Sequence, residues 1–339
     1  MLRGDGRRVL GRATTGVGIA LLAAMAAASG CRLVAGISDD VRVATGDSAA
    51  EASADAGPPG DGACPSGPGP AMKLVPGADG GTCVDTTEVT YAQFQQFVVW
   101  LGQSQPYPFT SLIDASDPVC GPGTAIDQRS QSAIQATDSQ RDPRFPSERD
   151  GAPDPYPVVS VNYCEAKAFC AWANKRLCGG APGATDDAVS FMSASVDEWT
   201  NACTAGGAYA YGYGVAFDPT KCNTVYRLAS DECLDPGDPS RDAPYCAPTK
   251  AGELTGCTSP DPRFAGIYDL IGNAYEWTDV CGDAGCLMRG GSFSQGEQFG
   301  ADPVDQASCA STWGTNPPYG IDPATNNADM GLRCCADPG

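Results

Sequence analysis

The run Gly266–Ser292, GIYDLIGNAYEWTDVCGDAGCLMRGGS, gathers several kinds of reactive group into one stretch. It holds carboxylates at Asp269 and Glu276, thiols at Cys281 and Cys286, the Arg289 guanidinium, and the Ser292 hydroxyl behind a Gly-Gly pair. Carboxylates are hard oxygen donors, whereas thiolates are soft ligands and nucleophiles. What the chain lacks narrows the chemistry further. It has no histidine, so no Ser-His-Asp or Cys-His couple can form, nor any His-ligated zinc or iron site.

The formal charge of -20 argues against nucleic acid or an anionic membrane surface as a partner, because phosphate binding needs clustered Lys and Arg. A cationic partner or Ca2+ suits it better, and the bland reading is that the acidic surface keeps the protein soluble. The 17 cysteines contain no CxxC pair, which favours disulfides over metal clusters and therefore an oxidising compartment.

Export fits the N-terminus. Arg3, Arg7, Arg8 and Arg12 precede an apolar stretch from Val17 to Ala28, which ends in Ala28-Ser29-Gly30-Cys31. Residues 1–30 resemble a bacterial lipoprotein signal, with Cys31 as the lipidated new N-terminus. Ala28 stands where Leu is usual, and Arg7-Arg8 hints at a twin-arginine route, so a plain signal peptide is the alternative. If Cys31 carries lipid, an even sixteen cysteines remain. Residues 31–63, rich in Ala, Gly, Asp, Ser and Pro, cannot bury enough surface to fold and are expected to form a disordered tether.

The elements that would position the reactive groups begin near Cys64. Thr90 and Gln93 form a capping box for a helix whose apolar face is Phe94, Phe97, Val98 and Leu101, ending at Gly102. Residues 103–155 are expected to form a long loop held by Cys120. Tyr156–Val161 predicts a short strand, and Asn162 with Glu165 predicts a second helix reaching about Arg176. Ser195 with Glu198 predicts a third capping box. YAYGYG at 209–214 would form either an aromatic binding surface or a cover for the core. The run 218–262 is expected to be loops stapled by Cys222, Cys233, Cys246 and Cys257. With 42 Gly and 28 Pro and only 18% charged residues, the fold should be loop-rich.

Six blocks then occur in order: TTEVT at 86–90, PVVSVNYCEAKAFCAWANKRL at 157–177, DEW at 197–199, GIYDLIGNAYEW at 266–277, RGGS at 289–292 and GLRC at 331–334. Together they resemble the formylglycine-generating, sulfatase-modifying-factor family across residues 64–337. The resemblance implies a single compact α+β domain, related to C-type lectin folds and stapled by disulfides. It also implies Cys170 with Cys334, and Cys203 with Cys309. Cys64 with Cys83 and Cys281 with Cys286 are expected from proximity.

The same resemblance implies structural calcium. One ion would take the side chain of Asp269, the carbonyls of Gly272 and Ala274, and the carboxylate of Glu276; a second would use Asn223 and the carbonyl of Thr224. Copper is not expected. The oxidase branch of the family holds it on two cysteines shortly after the GGS block. Counted from Ser292 those positions are Gln295 and Gly300, and counted back from Cys309 they are Phe299 and Val304. Ser292 is retained, but Tyr275 replaces the usual Trp. The reading is an exported, lipid-anchored cell-envelope protein, outer-membrane or periplasmic, whose domain serves as a binding or structural module. Its partner would be a peptide, protein or glycan. The alternative is a tautomerase-like enzyme with a carboxylate base such as Glu297 or Asp302; a true formylglycine oxidase is the third reading.

Overall fold

The computed structural model describes residues 63–77, 80–103, 112–114, 116–121, 155–180, 192–224, 248–282, 285–293, 307–313 and 320–339. The expectations for residues 1–62, including Cys31, and those for Glu297, Asp302, Gln295, Phe299, Gly300, Val304, Cys233 and Cys246, lie outside the described residues.

Capping chemistry sets the helices. In α1 (Tyr91–Gln103) the Gln93 side chain accepts from the Thr90 amide at 2.9 Å, and Thr90 Oγ1 accepts from the Gln93 amide at 3.3 Å. Phe94, Phe97 and Leu101 are buried as their spacing requires, each contributing roughly 1.5–3 kcal/mol of transfer free energy. In α2 (Tyr163–Trp172) Asn162 and Glu165 form the reciprocal box. Phe169 of α2 stacks on Phe94 of α1, with ring centroids 5.5 Å apart. The helix stops short of Arg176 because Asn174 enters the left-handed region at φ +57. Arg176–Leu177 instead forms β3.

The third helix, α3 (Glu198–Thr204), corrects the expected cap. Asp197, not Ser195, accepts from the Thr200 amide. Glu198 is drawn away to a two-pronged contact with Arg176, so its side chain is not free to close a local box. The strand expected at 156–161 is likewise replaced by an irregular path. Pro157 makes one isolated bridge to Thr90, and Ser160 turns the chain at φ +61. Proline offers no amide to a ladder. Val158 and Val161 are nevertheless buried.

Two small sheets complete the α+β architecture. The first has strand order β1 (Met72–Val75), β2 (Thr82–Asp85), β8 (Cys334–Ala336), β3, all antiparallel. The second has the order β6 (Thr312–Trp313), β5 (Gly285–Arg289), β4 (Tyr275–Gly282), β7 (Met330–Leu332), with β4 and β7 parallel. Arg333 alone separates β7 from β8, so the chain passes from one sheet to the other across a single residue.

Seven disulfides occur among the described residues: Cys64–Cys83, Cys120–Cys164, Cys170–Cys334, Cys178–Cys335, Cys203–Cys309, Cys222–Cys257 and Cys281–Cys286. The four expected pairs are among them. Successive strand residues face opposite ways, and β8 uses this. Cys334 joins Cys170 in the core around Phe97, Trp277 and Met288, whereas Cys335 joins Cys178 in the core around Trp199, Ile267 and Ile271.

Candidate functional site

The Asp269–Glu276 turn is held from several directions at once. Asp269 and Asn273 both sit at positive φ, +58 and +60. Asn273 is the hub: its Oδ1 accepts from Asn223 Nδ2 at 3.0 Å and the Thr249 amide at 2.8 Å, and its Nδ2 donates to Glu88 Oε2 at 2.9 Å. Glu88 Oε1 accepts from the Ala274 amide at 3.0 Å. Gly272 is required where it stands, because at φ +76 a Cβ would lie 2.5 Å from the Asn223 carbonyl oxygen. Asn223 and Thr224, expected at a separate ion site, are therefore packed directly against this same turn.

Burial makes the turn electrostatically tense. It pushes Asp269 up to about 6, the backbone bond from Gly252 opposing. Glu88 is pushed well above the carboxylate range, first by burial and then by Asp269 and Glu276 beside it. Arg333 supplies the counter-charge. Burial disfavours its charge, yet Glu276, Glu88 and Asp269 outweigh that and hold its pKa above the ordinary value.

The donor set implied for calcium is only partly available. Asp269 Oδ2 accepts from the Gly252 amide at 2.6 Å, while Oδ1 is buried with no hydrogen-bond partner. Thr224 Oγ1 is buried in the same condition. Glu276, however, receives Arg333 Nε on both oxygens at 2.8 Å, Arg333 Nη2 on Oε1 at 2.7 Å and Trp199 Nε1 on Oε2 at 2.7 Å. Those contacts bring three N–H donors to the carboxylate, the single Nε hydrogen being shared between its two oxygens. Among the described residues, no group of three or more His, Cys, Asp or Glu is placed to hold a metal ion. Of the implied donors, Glu276 is thus engaged by Arg333 and Trp199, whereas Asp269 Oδ1 has no hydrogen-bond partner.

The RGGS corner lies against this network. Arg289 is fully buried, stacks over Trp199 at 4.8 Å, and donates Nη2 to Thr200 Oγ1 at 2.7 Å and the Cys309 carbonyl at 3.1 Å. Burial pushes its pKa down, with Asp197 opposing. Gly290 at φ +89 brings its Cα so close that a Cβ would meet the Leu270 carbonyl at 2.6 Å. Ser292 Oγ donates to Asp329 Oδ2 at 2.7 Å, and both residues are buried. The tyrosines of 209–214 pack onto a core. Tyr211 and Tyr213 stack at 5.8 Å, and Tyr209, Tyr213 and Phe217 are partly buried against the second core.

Thiols are the remaining resource, and here the corner is spent. All fourteen described cysteines are in disulfides. From Leu287 to Ser308 the sequence has no cysteine, and the flanking Cys286 and Cys309 are bonded to Cys281 and Cys203. Sequence reasoning missed Glu88, Asn273, Asp329 and Arg333 as parts of this site. Glu88 and Arg333 lay in the TTEVT and GLRC blocks, so their signal was present without a role attached.

With this geometry in hand, the comparison with family models is decisive: the sulfatase-modifying factor enzyme 1-like domain matches residues 80–338. The chain belongs to the sulfatase-modifying factor family. Within the family it is similar to the inactive C-alpha-formylglycine-generating enzyme 2 of Bos taurus, 27% identical over 190 residues, covering 54% of this chain and 51% of that protein. The Mus musculus protein of the same name is 26% identical over 189 residues, covering 54% and 50%. The chain spans about half the length of the curated relatives it matches. Among solved structures it is similar to PvdO from Pseudomonas aeruginosa, with a TM-score of 0.40 and 16% identity over 78% of this chain and 91% of that one. CarF gives 0.39 and 16% over 80% and 97%.

Proposed function

We propose that this chain is a non-catalytic member of the sulfatase-modifying factor family, exported and tethered to the cell envelope through lipid on Cys31, whose domain serves as a binding or structural module. The observation that carries the non-catalytic part of this reading is the absence of cysteine from Leu287 to Ser308 together with the bonding of both flanking cysteines into disulfides. A pair of thiolates able to hold Cu(I) beside Ser292 is therefore lacking from the segment where the family resemblance puts it. The relatives named inactive support the same reading. A peptide, protein or glycan is the class of partner proposed.

The enzymatic alternative draws on one contact, Ser292 to Asp329. It calls for a cleft converging on that pair, yet both residues are buried. A small cavity among the described residues lies elsewhere, between Ala202, Phe264 and Ile271, and its volume of about 10 Å3 has room for roughly one water.

The test is to incubate the oxidised protein with copper and a peptide carrying a sulfatase cysteine motif, and to follow the peptide mass. The expected result is an unmodified cysteine. Formation of an aldehyde at that cysteine would reject the proposal. Palmitate labelling of wild-type and Cys31→Ser chains expressed in a bacterium tests the anchor: label is expected in the wild type alone.

A further inference from the structure

Of the seven disulfides among the described residues, six join segments 19 to 164 positions apart, whereas Cys281 and Cys286 are five apart. A cross-link restrains the unfolded chain less as its loop shortens, so this one adds least to the fold. Its Cα atoms are 4.0 Å apart, closer than the roughly 4.4–6.8 Å that disulfides usually span.

The two sulfurs are also unequal. Cys286 is fully buried, while Cys281 is partly exposed beside the exposed Gly282 near the end of β4. Cys64 is the one other partly exposed member of these pairs, but its disulfide spans 19 positions with an ordinary Cα separation of 5.6 Å.

The hairpin has ties besides the bond. Glu276 pairs with Arg289 and Trp277 with Met288 in the β4–β5 ladder. Thr278 Oγ1 donates to the Leu287 carbonyl at 3.1 Å, and Cys286 exchanges both backbone hydrogen bonds with Ile321 at 3.0 and 2.9 Å.

We propose that Cys281–Cys286 is a thiol-exchange site for low-molecular-weight thiols. A thiolate attacks Cys281 Sγ, on the less buried residue of the pair. A bond forms between the incoming sulfur and Cys281 as the Cys281–Cys286 bond breaks, and the electron pair leaves on the Cys286 thiolate. The reverse attack by Cys286 expels the small thiol and restores the disulfide. No net oxidation or reduction occurs over the cycle, and the one co-reactant is the thiol itself. The result is a reversible thiol cap on Cys281 in a folded protein.

The experiment treats the full oxidised chain with reduced glutathione under native conditions, quenches at timed intervals with excess N-ethylmaleimide in denaturant so that every free thiol is blocked whatever its burial, and maps peptides by mass spectrometry. Glutathione on Cys281 and maleimide on Cys286 should appear at least about tenfold faster than modification of any other cysteine, with the far-ultraviolet circular dichroism unchanged. Reaction of Cys64–Cys83 at an equal or greater rate overturns the proposal. So does modification that appears at several disulfides together and only as the dichroism is lost. A second arm compares C286A and C281A with oxidised glutathione. Cys281 in the first should be capped and Cys286 in the second should not, and the opposite order would reject the assignment of the attacked sulfur.

Discussion

Arg333 binds Glu276 across the joint between the two sheets, with Nε on both carboxylate oxygens and Nη2 on one. It also donates Nη1 to the Asp85 carbonyl at 2.9 Å and Nη2 to the Tyr268 carbonyl at 2.8 Å. β2, the Gly266–Ser292 run and the β7–β8 joint thus meet on one guanidinium. A buried pair of this kind is costly to break from one side, because the partner is left charged and unpaired.

Arg333→Met should therefore destabilise the oxidised protein by about 3–5 kcal/mol, measured by guanidinium unfolding. The double variant Arg333→Met with Glu276→Gln should recover part of that loss. A double variant no more stable than the single one would show that Glu276 is not the group stranded by the arginine's removal.

Acid should stabilise this protein where it weakens many others. Burial pushes Glu165 up to about 8, the bond from the Asn162 amide opposing. Burial also pushes Asp85 up to about 6 against the pull of Lys175. A carboxyl whose folded pKa is raised binds protons more readily folded than unfolded, so its stabilising contribution is full below the unfolded pKa and lost as pH rises through the folded one. For Glu165 that window runs from 4.5 to about 8, and for Asp85 from 3.8 to about 6. The melting temperature should rise from pH 8 to pH 5, and Glu165→Gln should flatten the rise while stabilising the protein at pH 8 by at least about 1 kcal/mol. Below pH 4 the lowered pKa of Asp117, held down by Lys167 and by the Cys120 and Val119 amides against burial, works in the opposite sense.

Gly290→Ala tests the tightness of the RGGS corner. A methyl group there meets the Leu270 carbonyl at 2.6 Å and the Trp199 ring at 3.2 Å, on a backbone at φ +89. The loss should exceed about 1 kcal/mol by thermal or chemical unfolding. A neutral substitution would mean that this backbone has room to move.

Chelation tests the commitment of Glu276. With that carboxylate engaged by Arg333 and Trp199, EDTA should leave the melting temperature unchanged. A fall with EDTA that calcium restores would assign a cation to the unpartnered Oδ1 of Asp269.

Much of the local structure was legible because its determinants are close in sequence. The boxes at Thr90 and Asn162 each need only four residues, and both form. The third failed because Glu198 answers to Arg176, 22 positions away, a partner that no local pattern reveals. The same holds at the site. The family resemblance marked Asp269, Glu276 and Ser292, but the roles of Glu88, Asn273, Asp329 and Arg333 arise where distant strands meet. Cys120–Cys164, Cys178–Cys335 and Cys222–Cys257 were illegible for a related reason. Sheet register and loop packing bring these thiols together.

The back-to-back arrangement of Cys334 and Cys335 also sets an order of events in maturation. A one-residue slip of β8 would turn each sulfur to the wrong face, offering Cys334 to the side of Cys178 and Cys335 to that of Cys170. Oxidation in that state would lock the error covalently. The native pair therefore needs either a register found by non-covalent contacts, with Arg333 seated at the joint, before the two bonds close, or exchange that reopens mispaired bonds afterwards. A rapid, uncatalysed oxidant is therefore expected to yield a mixture of isomers, and a reshuffling redox buffer a single product.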